Sequence, residues 1–244
     1  MEKKKKKLRV RDVIYIVTTS LLVAGLGFTV TYLLIRKQVD ENQSYYDQKV
    51  ESFMVQNANL SQGQIVFIGD SITDLYKLDD YYADLDKAVY NRGIGGDTTE
   101  GVLKRLQVSL YDIAPSKIVL LIGINDMNGK KSNKTIVNNY DKILSDIKAH
   151  LPSSMVYPLS ITPQNKVVES YAGWINAKNA NQTAKEINVE IEQLANKYSY
   201  TYLDLHSLLA DSEGYLKEDC SEDGIHLNDN GFTIWTNLVK PYLL

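Results

Sequence analysis

Gln64-Ile65-Val66-Phe67-Ile68-Gly69-Asp70-Ser71-Ile72-Thr73 is the stretch that sets the architecture of the chain. Its residues 65–68 are β-branched or aromatic and run directly into Gly-Asp-Ser, which predicts a buried strand followed by a sharp turn. In an open α/β sheet, ligands bind outside the carboxyl ends of the strands. The motif therefore places the hydroxyl of Ser71 where chemistry can occur, although Gly-Asp-Ser alone also fits an ordinary turn.

Strand patterns and helix patterns alternate through the rest of the chain. Further short apolar strands are predicted at 88–92, 117–122, 155–160 and 200–204, with amphipathic helices between them. Pro158 weakens the strand at 155–160, because proline cannot donate to a sheet. The alternation predicts an α/β fold of the doubly wound, flavodoxin-like kind, with a five-stranded parallel sheet and helices on both faces.

The N-terminal region has the pattern of a membrane anchor. No charged residue occurs from 13 to 35, and seven Lys or Arg residues precede this segment. As a helix it can span a hydrocarbon core of about 30 Å. The positive-inside bias predicts a cytoplasmic N-terminus and an extracellular remainder. A cleaved signal peptide is the alternative, but it favours a shorter apolar core and small residues at its cleavage site.

We therefore expect one N-terminal transmembrane helix ahead of the α/β fold. The predicted organisation is a basic cytoplasmic tail at 1–12, the anchor at 13–35, a stalk with a short helix at 36–62, and a catalytic domain at 63–244. The side chains of Tyr46, Val50, Phe53 and Met54 share one helical face in the stalk.

Composition excludes several classes of protein. With 44% hydrophobic and 23% charged residues, the chain is typical of a globular protein. The single cysteine, Cys220, cannot form an intrachain disulfide, and no Cys/His cluster has the spacing of a zinc site. Basic residues beyond the N-terminus are scattered among acidic ones, so no nucleic-acid partner is indicated. We expect no metal and no cofactor.

Polar residues follow three of the predicted strands. They occur in Gly-Asp-Ser at 69–71, Gly-Gly-Asp at 95–97 and Gly-Ile-Asn-Asp at 123–126. In a parallel sheet these ends share one edge. Near the C-terminus, Asp223 and His226 are separated by a turn-forming Gly-Ile, so the carboxylate can accept a hydrogen bond from the imidazole. The second imidazole nitrogen can then take the proton of Ser71.

Together these blocks resemble the SGNH (GDSL) hydrolases. The stretch Asn91-Arg92-Gly93-Ile94-Gly95-Gly96-Asp97-Thr98-Thr99 is most similar to the branch that contains the platelet-activating-factor acetylhydrolase Ib catalytic subunits. The resemblance covers about 45–244. Each block is weak alone, but four blocks in the same order at the predicted strand ends are a specific signal.

The resemblance implies a role for each residue of the site. Ser71 would be the nucleophile, His226 the base and Asp223 the acid that orients the base. The oxyanion hole would use the backbone N–H groups of Ser71 and Gly96 and the side-chain amide of Asn125. We expect supporting roles in the loops for three further residues, Asp70, Asp97 and Asp126, because such residues bond to nearby backbone in turns.

The predicted function is a membrane-anchored extracytoplasmic serine esterase for short acyl esters, O-acetyl groups in particular, on wall or surface polysaccharide. A lysophospholipase at the membrane surface is one alternative, and a non-catalytic carbohydrate-binding or scaffold protein is another. Two details stay open. His206, two residues after Asp204, is a rival for the base, and Tyr171 with Trp174 can form either a sugar-stacking platform or part of a lid.

Overall fold

The computed structural model describes the backbone from Val10 to Leu244 and the side chains from Gly27 onward, except that of Asn42. The chain divides into two compact units, Met1–Asp47 and Gln48–Leu244. The predicted basic tail, 1–12, lies outside the described residues as far as residue 9. Every feature of the site described below belongs to the second unit.

A parallel sheet is the centre of the second unit. Its strands are β1 (Ile65–Gly69), β2 (Val89–Gly93), β3 (Lys117–Leu121) and β4 (Met155–Pro158), in the order β2-β1-β3-β4. The register pairs Gly69 with Gly93 on one side and with Leu121 on the other. The carboxyl ends of β1, β2 and β3 therefore finish level with one another, so the loops that follow them emerge side by side.

Helices flank this sheet, as expected for a doubly wound fold. Helix α6 contacts both α4 and α7, while α3 and α8 contact α9. The helices are α1 Val10–Asn57, α2 Ser71–Asp74, α3 Leu78–Tyr82, α4 Thr99–Lys104, α5 Ile124–Asn128, α6 Asn133–His150, α7 Ala177–Lys197, α8 Leu205–Leu209 and α9 Asp229–Leu243. A π-helical turn spans Gln107–Tyr111, and 3₁₀ turns span Lys166–Ser170 and Glu218–Cys220.

The two central strands are buried along their whole length, which explains their continuous apolar sequences. On one face, Phe67 of β1 lies against an aromatic cluster, with ring centroids 5.9 Å from Tyr76 and 6.1 Å from Trp235. The predicted α/β architecture, with a parallel sheet between helices, is confirmed.

The prediction of a fifth strand at 200–204 is wrong. Within the described residues the sheet has four strands, and 200–204 contributes only an isolated parallel bridge between Leu203 and Leu159. Leu203 donates to the carbonyl of Pro158 at 3.0 Å, and Thr201 donates to the carbonyl of Val156 at 3.2 Å. Pro158 has no N–H to complete the ladder between these bonds, so regular pairing stops at the bridge.

The N-terminal segment is helical, but a membrane span is not found. Helix α1 continues through the predicted anchor and stalk without interruption as far as Asn57. Among the residues that the structure describes, no helix is both long and apolar enough to cross a membrane. In the predicted anchor, 13–35, the side chains before residue 27 lie outside the described residues.

Candidate active site

A serine, a histidine and an aspartate meet at the carboxyl end of β1. Ser71 is the first residue of α2, immediately after the strand. The Oγ atom of Ser71 lies 2.9 Å from Nε2 of His226, whose Nδ1 lies 2.5 Å from Oδ2 of Asp223. The histidine and aspartate side chains are 37% and 40% exposed, so the line of three groups is open to a substrate.

Hydrogen bonds keep Asp223 ionised and so determine the tautomer of His226. Burial acts to raise the pKa of Asp223, but hydrogen bonds from the His226 ring and from the backbone N–H groups of Ile225 and His226 lower it overall. An ionised carboxylate can only accept, so Nδ1 of His226 carries the proton and donates it to Asp223. Nε2 then has a free lone pair and accepts from the hydroxyl of Ser71.

The predicted oxyanion donors follow the carboxyl ends of three neighbouring strands: Ser71 begins α2 after β1, Gly96 lies in the loop after β2, and Asn125 lies in α5 after β3. Ser71 occupies the first turn of α2, where backbone N–H groups have no partner within the helix. Gly96 has a φ of +77°, a conformation that favours glycine. One amide N–H of Asn125 donates to the carbonyl of Asp97 at 2.9 Å, which orients the side chain while its second N–H stays available.

Asp70 caps the helix that begins with the nucleophile. Its Oδ1 accepts from the backbone N–H of Ile72 at 3.0 Å, while its Oδ2 is buried without a hydrogen-bond partner. Burial raises the pKa of Asp70 to about 7, and the nearby carboxylates of Asp97 and Asp126 add to the effect, whereas Arg105 opposes it. This carboxyl, next to Ser71 in the chain, is therefore partly protonated near neutral pH.

The other two loop aspartates join neighbouring loops. Asp126 accepts from both the backbone N–H and the hydroxyl of Thr99 at 2.8 Å, and Lys131 lies 3.1 Å from it. Asp97 accepts from the N–H of Thr98 and from Arg105. Burial raises the pKa of Asp97, and Arg105 opposes that shift. Both carboxylates thus hold the loop that starts α4, where Gly96 lies.

Arg105 is a site component that the sequence patterns did not reveal. Its guanidinium is buried and donates to the carbonyls of Gly69 and Arg92 and to the side chains of Asp97 and Ser109, at 2.8–2.9 Å. It therefore joins the ends of β1 and β2 to the oxyanion loop. The available signal was its spacing: Arg105 follows the buried Val102 by three residues and caps the C-terminal end of α4.

The remaining histidines and the cysteine lie apart from this line. His206 is buried, and its Nδ1 lies 2.8 Å from the carbonyl of Ile161, while Asp204 caps α8. Burial lowers the pKa of His206. His150 interacts through Nδ1 with the carbonyl of Asp146 at the end of α6. Cys220 is buried, which raises the pKa of its thiol to about 11. None of these three residues contacts Ser71 in the described structure.

Residues 165–174, which carry Tyr171 and Trp174, pack against the loop of Asp223. The 3₁₀ turn Lys166–Ser170 begins beside Gly224, whose carbonyl accepts from the N–H of Asn165 at 2.8 Å. The Tyr171 hydroxyl donates to the carbonyl of Asp223 at 2.8 Å, yet 54% of this residue is exposed. Trp174 is 66% exposed. The side chains of Tyr171 and Trp174 are therefore exposed on a segment that contacts the loop of Asp223.

No set of three or more His, Cys, Asp or Glu side chains suited to a metal ion occurs in the part of the chain that the structure describes.

Comparison with known proteins identifies the family of this chain. Residues 67–234 match the model of the GDSL-like lipase/acylhydrolase family, and the chain belongs to that family. The resemblance read from the motifs is thus confirmed, and the protein is an ester hydrolase of the GDSL type.

The chain is similar to one curated sequence and to two solved structures described below. The chain is 28% identical over 180 residues to platelet-activating factor acetylhydrolase IB subunit alpha2 of Rattus norvegicus, covering 72% of this chain and 73% of that protein. A solved structure described as a putative platelet activating factor from Streptococcus pneumonia is 27% identical, with a TM-score of 0.80 over 87% of this chain and 99% of the other. A catalytic mutant of an acetylxylan esterase from Geobacillus stearothermophilus shares the fold at 16% identity, with a TM-score of 0.60 over 75% and 95% of the two chains.

The unusual environment of Asp70 predicts a pH-dependent stability. The pKa of this group rises from 3.8 to about 7 on folding, so between these values the folded protein holds a proton that the unfolded chain has lost. The protonated Asp70 therefore contributes its full stabilisation of the folded protein below pH 3.8, and this stabilisation is lost as the pH rises to about 7. Asp70→Asn keeps the acceptor for Ile72 and cannot ionise, so between about pH 4.5 and pH 8 we expect the variant to gain about 3 kcal/mol of unfolding free energy relative to wild type.

Urea denaturation at the two pH values measures this difference. The wild-type protein measured at the same two pH values is the control, because every other ionisable group is common to both chains. Identical pH dependence of the two unfolding free energies would show that Asp70 is ionised in the folded protein.

Proposed function

We propose that this protein hydrolyses short acyl esters through an acyl-enzyme formed on Ser71. The observation that carries the proposal is the continuous hydrogen-bonded line from Ser71 through His226 to Asp223. In this reaction Nε2 of His226 takes the proton as Oγ of Ser71 attacks the acyl carbon, and then returns it to the leaving alcohol. A water molecule, activated by the same nitrogen, releases the acid.

Three donors are assigned to the oxyanion that forms in each step. The N–H groups of Ser71 and Gly96 and the free amide N–H of Asn125 are neutral donors that do not titrate. Such preorganised donors stabilise charge that develops only in the transition state. Asp223 stays ionised throughout, where it holds the His226 tautomer and stabilises the imidazolium.

A short acyl group, acetyl in particular, is the substrate that we favour. The matched relative from Rattus norvegicus is named an acetylhydrolase, and the structural neighbour from Geobacillus stearothermophilus is named an acetylxylan esterase. These names describe those proteins, but both concern acetyl esters. The sequence also contains no long apolar lid segment near the site that would favour a long acyl chain.

We place the acetyl group on a polysaccharide. The exposed rings of Tyr171 and Trp174 support this, because aromatic faces pack against the apolar faces of sugar rings. A lysophospholipid or another lipid ester at a membrane surface is the second candidate. A fold that binds carbohydrate without turnover is the third, and it has no need of the Ser71–His226 hydrogen bond.

Location is a proposal drawn from sequence alone. The uncharged segment 13–35 and the basic residues before it support a single-pass anchor with the enzyme outside the cell. Alkaline carbonate extraction of membranes, with protease treatment of intact cells, tests it. Retention in the membrane fraction with loss of the catalytic part to protease is expected, and release by carbonate would contradict the anchor.

Removal of the nucleophile tests the proposed reaction. We expect the full-length protein in detergent to hydrolyse p-nitrophenyl acetate and Ser71→Ala to lose at least about 10³-fold in kcat, because Ser71 is the hydroxyl hydrogen-bonded to Nε2 of His226. Ser153→Ala, at an exposed serine, is the matched control and should behave as wild type. Equal turnover by Ser71→Ala and wild type would assign the nucleophile elsewhere.

Removal of the exposed indole tests the proposed substrate. Trp174→Ala should raise KM for an acetylated oligosaccharide about 10-fold, since one stacking contact contributes about 1 kcal/mol or more. KM for p-nitrophenyl acetate should stay unchanged, and Trp174→Phe should keep most of the affinity. An unchanged KM for the oligosaccharide, together with faster cleavage of a short-chain phospholipid, would favour the lipid alternative.

A further inference from the structure

The last turns of α1, residues 49–57, contact Asp74 of α2 and Arg92 of β2, the two residues that flank the loop of the proposed oxyanion donor Gly96. They belong to the same compact unit as the catalytic residues. They also lie outside residues 67–234, which the family model matches. Two independent sets of contacts connect this part of α1 with residues 92–95, one through Asp74 and one through Arg92.

The first set runs from Lys49 through a single carboxylate. Nζ of Lys49 lies 2.7 Å from Oδ1 of Asp74, with only 29% and 15% of the two side chains exposed. Oδ2 of Asp74 accepts from the backbone N–H of Gly95 at 3.1 Å. Asp74 ends α2, the short helix that Ser71 begins, so this carboxylate joins the nucleophile's helix to the residue directly before Gly96.

The second set holds the residue that precedes the glycine loop. Arg92 is 1% exposed, and its guanidinium donates to the side chains of Gln56 and Asn57, each at 2.7 Å. It also lies 4.5 Å from the ring centroid of Phe53. Among the described residues, none of the ion pairs involves Arg92, so polar side chains at the end of α1 supply its acceptors.

Close backbone packing makes the loop sensitive to these contacts. A Cβ at Gly93 would lie 2.2 Å from the backbone nitrogen of Asp74, so the end of β2 and the end of α2 already touch. Movement of Asp74 is therefore transmitted to residues 93–95. The N–H of Gly96 belongs to the next peptide, and its direction sets the strength of its bond to an oxyanion.

We propose that Lys49 is a positioning residue for catalysis, acting through Asp74 on the oxyanion loop. The lysine fixes one oxygen of Asp74 so that the other holds Gly95, and this aims the N–H of Gly96 at the developing oxyanion. The inference rests on the proposed esterase activity. It assigns a part of the catalytic machinery to a helix that precedes the family domain.

Lys49→Met tests this proposal, because it keeps the length of the side chain and removes its charge. We expect kcat and kcat/KM for p-nitrophenyl acetate to fall together by about 10-fold with KM unchanged, as when a transition-state contact is weakened. This loss in kcat should be smaller than the loss of about 10²–10³-fold that is typical when an oxyanion-hole donor is deleted outright. Lys49→Arg should restore most of kcat, because it restores the charge at Asp74.

Two controls separate positioning from folding. Lys142→Met removes a lysine from an exposed ion pair with Asp146 and should leave both parameters unchanged. Rates are expressed per serine titrated with a fluorophosphonate, so misfolded protein does not count. In a double-mutant cycle, Lys49→Met should add little to the loss caused by Asp74→Asn, because both act through one carboxylate.

The possible outcomes are distinct. An active wild-type enzyme with kcat of Lys49→Met within about two-fold of it would overturn the positioning role and leave the esterase assignment intact. Fully additive losses in the cycle would also overturn it, since they would mean that Lys49 does not act through Asp74. An inactive wild-type enzyme whose Ser71 fails to react would instead overturn the proposed function itself.

Discussion

The buried guanidinium of Arg105 is the interaction on which the site depends. Its N–H groups need hydrogen-bond acceptors around them. A buried cation without acceptors costs several kcal/mol of folding free energy, about the net stability of a small domain. Four acceptors surround it: the carbonyls of Gly69 and Arg92, the carboxylate of Asp97 and the hydroxyl of Ser109. The ends of β1 and β2 and the loop of Gly96 are thereby held by one group. The nucleophile follows Gly69 by two residues, so its position relative to the oxyanion loop is fixed from beneath.

Two kinds of carboxylate result from this architecture, and they differ in their access to water. Asp70, beneath the nucleophile, is buried with one oxygen unpartnered, and its pKa is raised to about 7. Asp223, at the open side, accepts from backbone N–H groups and from His226, and its pKa is lowered. The carboxylate that must stay charged for catalysis is thus the one that the loop solvates with hydrogen bonds. The buried one caps α2, and its raised pKa reduces the negative charge next to Ser71 near neutral pH.

Much of this was predictable from the chain because the informative residues are local. Buried strands read as continuous apolar runs, and Gly-Asp-Ser, Gly-x-Asn-Asp and Asp-x-x-His stand next to the strands or turns that position them. The fifth strand was wrong because one proline, Pro158, interrupts its hydrogen bonding. Arg105 and Lys49 escaped notice for a different reason. Their partners are distant in sequence, as with Lys49 and Asp74, and a charged residue in a helix ordinarily indicates a solvated face.

The most direct test of the account is to identify the atom that becomes covalently modified. A fluorophosphonate should add once per chain, and peptide mass spectrometry should place the adduct on Ser71. Labelling should slow strongly in His226→Ala, because the serine then has no base within reach. An adduct on any other residue, or equal labelling rates in His226→Ala and wild type, would contradict the claim that Ser71, His226 and Asp223 act as one catalytic unit.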